Sequence, residues 1–352
     1  MELVDANMLI DKDYSGCSIG KYLLKSKLGN GSFGCVYKAR DRVLNEDKAL
    51  KILNVTNVNE VSKLFKEAAI PYKCQHENIV RIDSGEILDF MNGFVFVVDM
   101  ELIDGRSVDD FLRTSETSVV WSIEVIKKIL FAVEFSHIKG NIHRDIKPAN
   151  ILIDKKGTPK LSDFGLAATV GKVVAPPIWY RTHAAPETAS NNVATVQTDI
   201  YAMGMTMYRM VNGISDWQTY LSGIPNLQKV MQEGKLIDKL TFLPFVPDKV
   251  IRIIRKACNK TPSKRYGSAS EMRNALENLH LRYDWRKVSD EHWKGTAKGL
   301  PDKDVHIELV KNFSEVIVKN NNRKSSLDSK SFLLHEDAKS YMYSYIKDNT
   351  VD

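Results

Sequence analysis

The run His143-Arg144-Asp145-Ile146-Lys147-Pro148-Ala149-Asn150, followed by Asp163-Phe164-Gly165, sets three separated polar groups where phosphoryl transfer needs them. Asp145 is a carboxylate able to accept or orient the proton of an attacking hydroxyl. Asn150 and Asp163 offer the hard oxygen ligands that Mg²⁺ takes beside the phosphates of its substrate. Lys147, two positions after Asp145, places a cation beside the transferring group. Each tripeptide recurs by chance in unrelated chains, so the ordered set is a hypothesis that rests on the elements around it.

Those elements begin with Leu28-Gly29-Asn30-Gly31-Ser32-Phe33-Gly34-Cys35-Val36, flanked by strand-like Tyr22 to Leu24 and Val36 to Ala39. Glycines let a backbone approach phosphates and take positive φ without a Cβ clash, and exposed N–H groups then face the anion. A dinucleotide-binding turn shares this Gly-x-Gly-x-x-Gly spacing but continues as a helix and then an acidic residue. Here Cys35-Val36-Tyr37-Lys38-Ala39 continues as strand formers, which favours a hairpin. In Lys48-Ala49-Leu50-Lys51-Ile52-Leu53 the apolar residues alternate around Lys51 with the period of a strand, so Lys51 faces inward. An unpaired buried ammonium costs on the order of several kcal/mol, and a carboxylate partner is expected. Glu67, on a helix expected from Val58 to Tyr72, is the candidate; Pro71 shortens or kinks the end of that helix.

The ordered set resembles the eukaryotic-type (Hanks-type) Ser/Thr protein kinase family over about residues 20 to 280. The resemblance implies an α+β, bilobal protein-kinase fold with a small β-rich N-lobe at 20–102 and a larger helical C-lobe at 103–280. An N-terminal extension, 1–19, precedes the kinase domain, and a small C-terminal α+β appendage of unknown role, 281–352, follows it. By the same resemblance Lys51 contacts the α- and β-phosphates of ATP and pairs with Glu67, and Asp145 is the catalytic base. Lys147 contacts the γ-phosphate, and Asn150 and Asp163 hold Mg²⁺. The adenine ring would lie between Leu28, Val36 and Ala49 above and Leu152 below, against a hinge of Glu101, Leu102 and Ile103, with Met100 gating the back. Gly29, Gly31, Ser32 and Gly34 would cover the phosphates.

The second half fits the same family. Ala185-Pro186-Glu187 closes an activation segment that begins at Asp163, and Arg265 matches the family's structural partner for Glu187. Thr198 to Val211 is apolar nearly all round, the mark of a buried helix. Asp199 opens it in an N-cap position, and in the family this carboxylate anchors the catalytic-loop backbone. Lys147 is typical of Ser/Thr kinases, so the resemblance implies a Ser or Thr acceptor. The family's Gly-Thr ahead of Ala-Pro-Glu is replaced by Trp179-Tyr180, with Thr182 three residues before Ala185. Thr169, Tyr180 and Thr182 are candidate phosphosites able to pair with Arg144, as an alternative to a loop that needs no phosphate. Ser325 and Ser326, after Arg323-Lys324, are candidate autophosphorylation sites or a plain hairpin tip.

With 352 residues, 43% hydrophobic and 27% charged, the chain can build two lobes and an appendage. No apolar run reaches the roughly 18 residues of a membrane span, and the N-terminus lacks the basic start of a signal peptide, so a cytoplasmic protein with no membrane partner is expected. Cys17, Cys35, Cys74 and Cys258 show no metal-ligand spacing. The net charge of +6 is not gathered into one block, which speaks against nucleic-acid binding. In 281–352, Trp285 and Trp293, strand-like Asp304 to Val310 and Phe313 to Val318, and a helix Glu336 to Ile346 suggest a satellite core on the C-lobe, or a module that recruits partners or substrates.

Two function classes follow. One is an ATP-dependent protein Ser/Thr kinase acting on protein substrates and, by self-association, on itself; its compact make-up resembles a stand-alone bacterial member, for instance in stress or phage-defence signalling. The other is a pseudokinase or scaffold presenting its C-lobe and tail to partners. The six polar positions Lys51, Glu67, Asp145, Lys147, Asn150 and Asp163 favour the first. Small-molecule kinases of related fold generally lack the complete glycine loop and the Glu187 to Arg265 arrangement.

Overall fold

The computed structural model describes residues 12–31, 34–54, 75–91, 93–114, 117–163, 168–169, 182–191 and 194–352. Ser32, the helix expected from Val58 to Tyr72 with Glu67 and Pro71, Cys74, and Tyr180 lie outside the described residues.

The N-terminal part is an antiparallel sheet of β1 (Ser18–Ile19), β2 (Tyr22–Gly31), β3 (Gly34–Asp41), β4 (Glu46–Asn54), β5 (Ile82–Phe90) and β6 (Gly93–Glu101), in the spatial order β1-β2-β3-β4-β6-β5. Alternate side chains of a strand point to opposite faces, and residues directly across a ladder share one face. Cys35 therefore falls in line with Ile52 and Val97, and Tyr37 with Leu50; with Tyr14, Ile19, Tyr22 and Leu24 they bury one face as a dry core. The register places Val36 beside Lys51 and Val98, and Lys38 beside Ala49 and Met100, all on the other face. Part of that second face makes its own small core, Val98 with Leu53, Ile82, Phe96 and the half-buried Met100, while Val36 and Ala49 belong to neither core cluster.

The C-lobe carries the short strands β7 (Gly105–Ser107), β8 (Asn141–Ile142), β9 (Ile151–Asp154), β10 (Pro159–Leu161) and β11 (Ala168–Thr169), and is organised by two long helices, α2 (Val119–Ile138) and α4 (Val196–Val211), beside the short α1 (Val108–Arg113) and α3 (Pro186–Asn191). Ser118 caps α2 by accepting the Trp121 N–H. In α4 every residue from Thr198 to Val211 is buried, as its all-round apolar composition predicts. Gly204 is what lets α4 meet the later helix Asp248–Ala257, since a Cβ there would sit 2.6 Å from Cys258 Sγ and 2.8 Å from Ala257 Cβ. Asp199 is not the N-cap: Thr195 holds that position, and Asp199 lies in the first turn. The Glu187–Arg265 pair forms as expected, bidentate at 2.7 and 2.9 Å.

The C-terminal part is the α+β appendage expected from the sequence. Six strands, β12 (Asp284–Ser289), β13 (His292–Thr296), β14 (Lys303–Val310), β15 (Phe313–Asn320), β16 (Arg323–Lys324) and β17 (Lys330–Phe332), form one antiparallel sheet beside a helix, His335–Asp348. Trp285, Trp293, Val305, Val316 and Val318 pack with Ala338, Met342 and Ile346 of that helix. Phe245 of the C-lobe joins this core, 4.7 Å between ring centres from Trp293, so the satellite core is seated on the C-lobe.

Arg265 has no exposed side-chain surface, and Glu187 is its only carboxylate partner among the described residues. Glu187→Ala leaves a buried guanidinium with carbonyl acceptors alone, and urea unfolding should show a loss of roughly 3 kcal/mol; a loss under about 1 kcal/mol would mean that the pair is not structural.

Candidate active site

The catalytic loop hangs between two short strands, β8 (Asn141–Ile142) and β9 (Ile151–Asp154), and ends in a single 3₁₀ turn, Pro148–Asn150. Its shape is imposed from behind. The Asp199 carboxylate, fully buried, accepts the N–H of His143 and of Arg144 at 2.8 Å each, and lies 2.8 Å from His137 Nε2. Two successive N–H groups turned onto one carboxylate force an unusual backbone, and Arg144 has φ 73°. Burial pushes the Asp199 carboxyl up, but its bond to His137 and the charges and N–H groups around it outweigh this and leave it below its ordinary value. The family's anchoring role for this residue is therefore what the geometry shows, from the first turn of α4.

The same loop is tied to the segment that follows the strand Pro159–Leu161 and carries Asp163. His143 Nε2 lies 2.9 Å from the Ser162 carbonyl oxygen, and burial holds its imidazole below the ordinary value, so the neutral ring donates there. The Ser162 N–H and hydroxyl both reach the Asn150 carbonyl, at 2.9 and 3.1 Å. Asn150 and Asp163 are thereby fixed relative to each other through backbone. Asp145 Oδ2 accepts from Lys147 Nζ at 2.8 Å and from Asn150 Nδ2 at 3.0 Å, while Nδ2 also reaches the Asp145 carbonyl at 2.8 Å. Asp163, with φ 65°, accepts from Lys51 Nζ. Lys51 thus meets a carboxylate as expected, but that carboxylate is Asp163; Glu67 lies outside the described residues.

Above this polar floor lies the second face of the N-terminal sheet. Val36 and Lys51 are half-buried cross-strand neighbours, Ala49 and Met100 are another pair, and Met100 packs on Leu53, Ile82, Phe96 and Val98. Leu28 is exposed on β2, at an irregularity between Lys27 and Gly29. Leu152 is half-buried in β9, on the side opposite Ile151 and Ile153, which enter the C-lobe core. Leu102 and Ile103 are half-buried just after β6. Neither Gly29 nor Gly34 takes positive φ, contrary to the sequence expectation. Gly34 is needed for another reason, since a Cβ there would lie 2.0 Å from the Ile52 carbonyl oxygen.

Several contacts of this region carried no sequence signal. Glu101 does not offer its carboxylate to the pocket: Oε1 accepts the Arg81 N–H at 2.8 Å and Lys160 Nζ at 2.8 Å. Asn78 Nδ2 donates to the Pro159 carbonyl at 2.7 Å. On the acceptor side Trp217 Nε1 donates to Thr182 Oγ1 at 2.7 Å, so the hydroxyl proposed as a phosphosite is engaged in the fold. Thr169 pairs with Asn141 in a two-residue ladder. His183 is buried against Trp217, with ring centres 5.5 Å apart, and its Nε2 finds no partner among the described residues. Each of these contacts joins residues twenty or more positions apart, beyond the reach of periodicity or local motif.

Residues 22–278 match the family model of the protein kinase domain. The chain is 31% identical over 280 residues to serine/threonine-protein kinase PrkC of Bacillus subtilis, covering 75% of this chain and 41% of that protein. It is 31% identical over 275 residues to serine/threonine-protein kinase PknB of Mycolicibacterium smegmatis, covering 74% and 43%. Serine/threonine-protein kinase sid1 of Schizosaccharomyces pombe matches at 31% over 202 residues, 55% of this chain and 41% of that protein. The chain spans about two fifths of the length of these curated relatives.

Burial, reinforced by the nearby Arg209 charge, pushes His183 down to about 3. The unfolded chain takes up a proton on this ring near the ordinary 6.5, and the folded protein does so only near 3, so stability is full above 6.5 and is lost as pH falls. Each pH unit in that window removes about 1.4 kcal/mol. Urea unfolding at pH 7, 6 and 5 should give a slope shallower by about that amount in His183→Phe, which keeps a ring against Trp217. Equal slopes would show that the imidazole is not held neutral.

Proposed function

This chain belongs to the protein kinase family, and from that premise we propose that it is an ATP-dependent protein Ser/Thr kinase acting on hydroxyls of protein substrates. The observation that carries the reading is the convergence of Asp145, Lys147, Asn150, Asp163 and Lys51 on one polar floor under an apolar sheet face. Catalysis of this kind is positioning and charge neutralisation, with no covalent intermediate on the protein.

In this reading Asp145 accepts the proton of the acceptor hydroxyl, its Oδ2 held in place by Lys147 and the Asn150 amide. The donor set at Asn150 and Asp163 is oxygen only and fixed through the Ser162 backbone and hydroxyl, which fits a hard cation such as Mg²⁺. Mg²⁺ held there would neutralise phosphate charge. Lys147 serves the γ-phosphate and Lys51 the α- and β-phosphates, with Glu67 as the proposed second partner of Lys51. Gly29, Gly31, Ser32 and Gly34 cover the phosphates, while Leu28, Val36, Ala49, Met100 and Leu152 enclose adenine beside Glu101, Leu102 and Ile103. Lys147 and the names of the matched relatives support Ser or Thr as acceptor.

Phosphorylation of the chain by another copy of itself belongs to the same proposal, with Thr169, Thr182, Ser325 and Ser326 as its described candidates; the hydroxyls of Thr182 and Ser325 are hydrogen-bonded within the fold, and Ser326 is exposed. No helix among the described residues is long and apolar enough to cross a membrane, and a cytoplasmic setting is part of the proposal. A signalling role in stress or phage defence is proposed on the compact make-up of the chain.

The test is incubation of the purified protein with Mg²⁺ and γ-labelled ATP, alone and with cell extract, followed by phosphosite mapping. Label is expected on Ser or Thr, falling at least ~100-fold in Asp145→Asn and in Asp163→Ala. Near-parental labelling by either folded variant would overturn the assigned roles. ATP binding without label in extract would instead favour a nucleotide-binding scaffold.

A further inference from the structure

On the outer face of the C-terminal sheet, His292, Asp304 and His306 are brought together by strand register alone. His292 stands directly across the β13–β14 ladder from His306, and Asp304 precedes His306 by two residues, so all three side chains share one face. Their neighbours Trp293 and Val305 point the other way, into the core of the appendage. The backbone that carries the three groups is therefore pinned by packing on its reverse side.

The contacts within the group are close. His292 Nε2 lies 2.9 Å from Asp304 Oδ2, and His306 Nδ1 lies 2.7 Å from Asp304 Oδ1. One donor atom from each of the three residues can be chosen so that all lie within 4.8 Å of one another. A tetrahedral ion with bonds of about 2.1 Å holds its ligands roughly 3.4 Å apart, so a modest closing of the two imidazoles completes the set.

His306 distinguishes this cluster from a hydrogen-bonded triad. Its Nδ1 faces Asp304 and its Nε2 lies 3.1 Å from Glu308 Oε1. An ionised carboxylate only accepts, and a neutral imidazole has one proton for these two acceptors. A metal ion at Nδ1 leaves that proton at Nε2 for Glu308, the carboxylate–histidine–metal arrangement by which proteins orient metal ligands.

We propose that His292, Asp304 and His306 bind a single Zn²⁺ through His292 Nε2, His306 Nδ1 and an Asp304 oxygen, with Glu308 orienting His306 and water completing the coordination. Two imidazoles and one carboxylate suit zinc, whereas Mg²⁺ and Ca²⁺ take oxygen alone and Cu(I) takes thiolate or thioether. The site lies in the appendage and rests on none of the residues assigned to phosphoryl transfer. Its consequence is local: the ion clamps β13 to β14, and β13 carries the Trp293 ring that meets Phe245 of the C-lobe.

The experiment uses the whole chain, stripped with chelator and dialysed, then titrated with Co²⁺ as a spectroscopic stand-in and with Zn²⁺ as competitor. The expected result is one equivalent of Co²⁺ with visible absorption of a low-coordinate nitrogen and oxygen site, displaced by Zn²⁺. That equivalent should disappear in His306→Gln and Asp304→Asn, and bind about 10–100-fold more weakly in Glu308→Gln. Circular dichroism melting in chelator checks that each variant folds; Glu308, largely exposed, is the variant that keeps the test sound if a ligand variant melts early. No uptake by the parent chain, or uptake unchanged in His306→Gln, would leave a second proton as the occupant of His306 Nδ1 and overturn the proposal. Zinc held at Asn150 and Asp163 is told apart because it survives His306→Gln.

Discussion

A carboxylate with no exposed surface, Asp199, is the constraint on which the rest of the site depends. Removing such a group from water is costly unless donors surround it, and here the donors are two successive backbone N–H groups of the catalytic loop and an imidazole. The stabilisation of the charge and the shape of the loop are thus one interaction. The positive φ of Arg144 follows from it, and so does the side on which Asp145 emerges. The loop then passes its geometry onward through His143 and Asn150 to Ser162, and so to Asp163. None of these contacts uses the side chains of Lys147 and Lys51, whose ammonium groups pair with Asp145 and Asp163.

A division of labour within the N-terminal sheet is the second organising fact. Since alternate residues face opposite ways, one face can be a core and the other a binding wall on the same strands. Cys35, Tyr37, Leu50 and Ile52 serve the core, while Val36, Ala49 and Lys51 are interleaved with them on the wall. The wall is apolar apart from its lysines, in keeping with a pocket that is lined largely by core-type side chains.

How much of this could be read in the sequence divides along a physical line. The alternation around Lys51, the all-round apolar character of Thr198 to Val211 and the strands from Asp304 to Val318 are short-range patterns, and the structure has them where the pattern places them. Asp145, Lys147, Asn150 and Asp163 were legible because they sit in short motifs; the first three are hydrogen-bonded together, and Asp163 is tied to Asn150 through the neighbouring Ser162. What stayed hidden depends on long-range meetings: Glu101 with Lys160, Thr182 with Trp217, and the His292 and His306 pair set by the register of β13 and β14. Glu67, the partner expected for Lys51, lies outside the described residues; the meeting of Lys51 with Asp163 stayed hidden, because a side chain's facing can be inferred from alternation while the identity of what it faces cannot. Placing the N-cap of α4 at Asp199 erred by the few residues over which cap signals are ambiguous.

Glu101 has one further consequence. The chain passes from one lobe to the other near Arg81 and again just after Glu101, and the Glu101 N–H to Arg81 carbonyl bond, at 3.0 Å, holds these two crossings side by side. Below them, Val80 and Leu161 are bonded backbone to backbone at 2.9 Å, which fastens the first crossing to the C-lobe. Glu101 Oε1 then accepts one donor from each crossing side, Arg81 and Lys160, at a single atom. One side chain thus acts as a rivet through both lobes: taking away the Glu101 carboxylate would release Arg81 and Lys160 together and leave this edge to its backbone links.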